Sequence, residues 1–144
     1  MNKRYIYEQK KNQHSAKMKL KEFSSFVFIS FFEDEEILTR ARRVFQYDVP
    51  VSYKKAHNLS DIVYCEWLDT VLESLSLSTD LVVLLDGVRL WCNIEVVSNV
   101  DFSREMIKLN ANRDFTIIDI KKQVVVDFSS GEMDYEIRIL DYMS

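Results

Sequence analysis

The sequence predicts an α+β domain: a mainly antiparallel sheet of about five or six strands, with two or three helices packed on it. Three observations lead there. Two helix-patterned stretches come early, β-patterned stretches gather late, and the connections between those late stretches are short. Asp86-Gly87 between two apolar runs is a hairpin signal. The 144 residues suffice for one core, and a 47% apolar share can fill it.

Taken in order, residues 1–17 read as a basic leader with little to bury, ahead of one domain over 18–144. Phe23 to Phe32 (FSSFVFISFF) carries apolar groups at both parities, as in a strand covered on both faces or a buried helical turn. Its length favours the strand. Ser30 and Glu33 then form an S-x-x-E capping box for a helix over roughly 31–46. Acids at its start and Arg40, Arg42 and Arg43 at its end suit the macrodipole. After Pro50, Val51 to Tyr53 has the makings of a short edge strand.

Ser60 and Asp61 open a second helix reaching about Ser76, with Tyr64, Trp67, Leu68, Val71, Leu72 and Leu75 on its apolar side. Leu81–Leu85 and Val88–Val97 flank the Asp86-Gly87 turn. A short helix near Phe102–Leu109 precedes a meander of Phe115–Ile120, Val124–Phe128 and Met133–Leu140. Gly131 is expected at a left-handed position in the last turn.

Composition excludes several chemistries. With only Gly87 and Gly131, no P-loop, GxGxxG turn or GxSxG elbow can be written. Two histidines and two separated cysteines leave almost nothing for a metal cage, and nothing calls for a cofactor. Cys65 and Cys92 read as buried small hydrophobes in a reducing cytoplasm. The apolar run at 23–32 is half the length a membrane span needs, so the expectation is a soluble, cytoplasmic protein without membrane association.

Catalytic readings find weak support. Asp86 followed by Glu95 resembles the metal-binding acids of the PD-(D/E)xK nucleases, but Val97 stands where that pattern needs lysine. Asp86 is also accounted for by its turn, and Glu95 by the solvent side of its strand. His14 lies in the basic segment and His57 just before the second helix, where a loop residue is the plainer reading. No motif indicates an enzyme.

Charge is the uneven feature. A net charge of −4 divides into +5 over residues 1–22 and −9 over 23–144. The basic arm, with Tyr5, Tyr7 and His14, could contact phosphates and stack on bases, although the acidic remainder would repel a polyanion. Between Ala56 and Val88 there are six acids and no Lys or Arg. Asp61, Glu66, Asp69 and Glu73 line the second helix without i,i+4 lysines, and Asp86 continues the run. Such a face is either merely solvated or steers a basic partner. Trp91, on the polar parity beside Arg89, is either a surface anchor for that partner or core beneath a second covering layer.

The closing run FTIIDIKKQVVVDFSSGEMDYEIRI (Phe115 to Ile139) resembles the terminal meander of small bacterial immunity proteins of contact-dependent and polymorphic toxin systems. The resemblance covers about a fifth of the chain and carries no functional residue across. It implies a non-catalytic inhibitor that occludes a cognate toxin nuclease. The alternative is a small nucleic-acid-binding accessory protein using the basic arm.

Overall fold

The computed structural model describes residues 3–46, 48–56, 59–85, 89–110, 113–131 and 133–143. The architecture is α+β, with one antiparallel sheet of seven strands, slightly more than expected. The elements are α1 (Lys3–Leu20), β1 (Phe26–Phe31), α2 (Glu35–Ala41) with a 3-10 turn (Arg42–Phe45), β2 (Val51–Ala56) and α3 (Asp61–Leu75). There follow β3 (Asp80–Leu85), β4 (Leu90–Val96), α4 (Phe102–Asn110), β5 (Phe115–Asp119), β6 (Val124–Ser130) and β7 (Asp134–Asp141). The strand order is β1-β4-β3-β5-β6-β7-β2.

Alternation along the strands divides the core in two. Leu81, Val83, Cys92, Ile94, Ile117, Val126 and Ile137 face α1, α3 and α4. Val82, Trp91, Ile118 and Val125 face the α2 unit, which supplies Leu38, Ala41 and Val44. The central strands are therefore buried on both faces, which explains their near-continuous apolar runs.

That second layer decides the Trp91 question. The residue is only 9% exposed and belongs to the core under α2. It is not an anchor on the surface, because the polar parity of β4 is covered at that point.

Local readings are corrected in several places. Ser30 caps no helix: it lies in β1, where its Oγ accepts from Asn93 Nδ2 at 3.0 Å. The cap is Asp34, whose Oδ1 accepts from the Ile37 N–H at 3.2 Å, so the α-helix starts later than expected and ends in a 3-10 turn. β1 is covered on one face only, leaving Val27 and Ile29 about half exposed. A bulge between Phe28 and Ser30 shifts the register by one, so that Phe28 pairs with Ile94 and Phe31 with Cys92. The extra residue brings Phe26, Phe28 and Phe31 to the same core despite their uneven spacing.

The expected division between residues 17 and 18 falls inside α1. Ala16 and Leu20 are buried against the sheet, and the Lys17 ammonium lies over Phe28 and Phe31, which holds the helix through that point. Asp86 and Gly87 lie outside the described residues, as does His57. The strands on either side of Asp86 and Gly87 pair antiparallel, with Leu85 opposite Leu90. Gly131 does not take a left-handed conformation. A Cβ there would meet the end of the Glu136 side chain and sit 3.1 Å from Asp134 O, so a larger residue would displace the Glu136 carboxylate. Gln123, at φ 60°, takes the left-handed position of the β5–β6 turn.

Candidate functional site

The acidic helix read from the sequence is α3. Ser60 caps it, its Oγ accepting from the Val63 N–H at 3.3 Å, and Ser76 ends it in a left-handed conformation at φ 50°. Tyr64, Leu68 and Val71 fix one side to the core. The helical period then sends Glu66, Asp69 and Glu73 to the opposite side, where Glu66 and Glu73 are exposed and Asp69 is half-buried. No base stands in the last turn. The carbonyl end is satisfied from elsewhere: the Lys122 ammonium donates to Leu75 O at 3.2 Å and to Ser76 O.

The four helix acids do not act as one set. Asp61 is engaged by Arg113, whose Nη2 donates to its Oδ1 at 2.5 Å. Arg113 also donates to Leu59 O at 3.1 Å and to the Tyr135 hydroxyl at 2.6 Å, and it stacks over the Tyr64 and Tyr135 rings. This clasp joins the start of α3 to β7 and neutralises one of the carboxylates expected to meet a partner. Burial raises the Tyr64 phenol well above its ordinary range, keeping it a neutral donor to Arg113 O at 3.2 Å.

Asp69 and Glu73 do come together. They form the lip of a cleft of about 480 Å³ where the end of α3 meets the starts of β3 and α4. Its floor is apolar, from Leu72, Leu77, Leu81, Val96 and Phe102. Val100, 81% exposed, stands at the rim. The buried Ser103 Oγ donates to Asp69 Oδ1 at 2.6 Å and orders that carboxylate. Glu66 lies on the same stripe of α3.

Asp80 and Glu95 are directly opposite in the β3–β4 ladder and both exposed. Like charges so placed are unfavourable, and by strand parity the pair shares the sheet face of Val82 and Trp91, opposite the face that α3 covers. Among the described residues, Glu66, Asp69, Glu73, Asp80 and Glu95 make no salt bridge. The sequence reading weighed Glu95 as a nuclease-type acid or a solvent-facing strand residue, and missed the rim residues Asn99 and Val100, which sit in a loop without periodic signal.

Chemistry elsewhere is sparse. Both cysteines are free and buried; burial pushes the Cys92 thiol up to about 12 and raises that of Cys65, which disfavours the reactive thiolate. His14 is exposed on α1. On the sheet face under α2, Asp127 is 8% exposed beside a cavity of about 320 Å³, and burial lifts its carboxyl to about 6 even though Thr116 Oγ1 donates to it at 2.9 Å. Among the described residues, no group of three or more His, Cys, Asp or Glu converges, and no helix is long and apolar enough to cross a membrane.

No family model, curated protein or solved structure matches the chain.

Proposed function

We propose that the protein is a non-catalytic inhibitor of the immunity type, which binds the basic surface of a toxin domain through the acidic face of α3. The observation that carries this reading is the stripe of Glu66, Asp69 and Glu73, which spans about 10 Å of helix and is matched by no salt bridge among the described residues. Unpaired carboxylates in such a row forgo the stabilisation of i,i+4 pairs and speed encounter with a cationic protein. Occlusion needs no catalytic group, only charge complementarity and contact area, and the adjoining apolar cleft supplies the latter.

The test is capture of a partner from the native host by wild-type protein and by a Glu66→Lys/Glu73→Lys variant. The reading expects wild type to retain a basic protein and to block its toxicity at stoichiometric ratio. The charge-reversed variant should associate at least tenfold more slowly, with a flatter salt dependence. A captured protein whose activity is unaffected, or whose association is indifferent to the reversal, overturns the reading.

A second reading rests on α1. Lys3, Lys10 and Lys17 recur every seven residues along one side of the helix, with Tyr5 and Tyr7 exposed near its start. This favours phosphate contacts by a basic helix. Fluorescence titration of a labelled single strand against wild type and Lys3→Glu/Lys10→Glu separates the two readings. These substitutions are preferable to deleting residues 1–17, which would remove the buried Ala16.

A further inference from the structure

Resting on the inhibitor reading of the α3 face, we propose that the cleft beside α3 is a socket for one arginine side chain of the partner protein. Its two chemistries are arranged as that side chain requires. An arginine has a methylene stem that prefers apolar surface and a planar charged head that prefers paired carboxylates. The floor offers Leu72, Leu81, Val96 and Phe102 to the stem, and the lip offers Asp69 and Glu73 to the head.

Asp69 and Glu73 are four residues apart on α3, so their Cβ atoms stand about 5–6 Å apart on one side of the helix. A guanidinium, with five donors spread over its edges, can engage two carboxylates at that separation, whereas a lysine ammonium acts as a point charge. The Ser103 hydroxyl already orders Asp69, which reduces what binding must immobilise. Neighbouring cations are committed elsewhere. Arg104 lies 3.8 Å from Asp101, and Lys122 is bonded to the last carbonyls of α3. The negative end of the helix dipole is thus offset by Lys122, and the carboxylates set the charge of the cleft mouth. Val100 at the rim adds an apolar contact that a docked partner would cover.

The experiment titrates the full-length ¹⁵N-labelled protein with n-butylguanidinium, n-butylammonium and the neutral isostere n-butylurea, following amide shifts. The socket predicts saturable shifts at Leu72, Leu81, Val96 and Val100 with n-butylguanidinium. Affinity should fall at least threefold for the ammonium, and no saturation should be reached with the urea. In Glu73→Gln, whose spectrum should otherwise match wild type, guanidinium affinity should drop at least fivefold. Equal responses to guanidinium and urea, shifts centred elsewhere, or no saturable response would overturn the socket.

A Val100→Trp variant, which plugs the mouth from an exposed position, keeps this outcome distinct from failure of the inhibitor reading. Partner binding lost on Glu66→Lys but unchanged by Val100→Trp would reject the socket while retaining the acidic docking face. At least tenfold weaker binding in Val100→Trp supports it.

Discussion

Arg113 donates to the Asp61 carboxylate across 52 residues of chain, with an arginine side chain 21% exposed and an aspartate 78% exposed. The two ends of this pair therefore matter unequally. Arg113 also bonds Leu59 O and the Tyr135 hydroxyl and covers two aromatic rings, while Asp61 makes a solvent-screened contact. Arg113→Ala is expected to cost about 2–3 kcal/mol in urea unfolding, in the range for lost hydrogen bonds to a charged group. Asp61→Ala should cost about 1 kcal/mol or less, as exposed pairs do. Equal costs would show that the ion pair, not the cage around arginine, holds the clasp.

Glu105 should make the fold sensitive to acid. Burial tends to raise its pKa, but hydrogen bonds from Ser25 and Ser24, through both hydroxyls and both backbone N–H groups, outweigh burial and leave it lowered. A carboxylate depressed in the folded state contributes stability above its unfolded pKa, and that contribution is lost as pH falls through the folded value. Glu105→Ala should be destabilised at pH 7 by about 1–3 kcal/mol. Its stability should also fall less than that of wild type on going from pH 5 to pH 3, as denaturant midpoints at each pH would show.

Asp127 works in the opposite sense. Its folded pKa of about 6 lies above the ordinary carboxylate value, so the native state holds a proton that the unfolded chain has released. Stability on this account falls as pH rises from about 4 through 6. Asp127→Asn keeps an acceptor for Thr116 without the charge, so its melting temperature should exceed that of wild type at pH 7.5 and the two should converge near pH 4. A variant less stable than wild type at pH 7.5 would contradict the burial argument.

Trp91→Ala separates core from surface roles. A buried tryptophan under α2 should cost about 3–5 kcal/mol on truncation, whereas a surface anchor would leave the melting temperature nearly unchanged. Loss of the cooperative transition, or a large drop in its midpoint, is the expected result.

Periodicity made much of this architecture readable. α3 begins where Ser60 said it would, and β5, β6 and β7 fall within two residues of the runs that announced them. The failures share a physical cause, in that they depend on groups distant in the chain. Ser30 satisfies a capping pattern but is claimed by Asn93, 63 residues away. Trp91 has the parity of an exposed residue, but the α2 unit covers it. Asp61 looked as free as Glu73 until Arg113 arrived from the loop before β5. Of the site itself, the α3 acids were visible as a pattern, while the cleft floor needed Val96 and Phe102 to be brought beside Leu72 by folding.

The strand order has a consequence for biosynthesis. Both edges of the sheet, β1 and β2, come from the first 56 residues, but their partners are β4 and β7. At a ribosomal rate of about 5–20 residues per second, β2 waits roughly 4–17 seconds for residue 141 to be made. Throughout that interval a nascent chain displays the uncharged FVFISF segment and the VSYKKA segment, whose charge comes from Lys54 and Lys55, with their backbone groups unanswered. A translational pause placed before β7 should therefore raise the demand for chaperones more than the same pause placed after it.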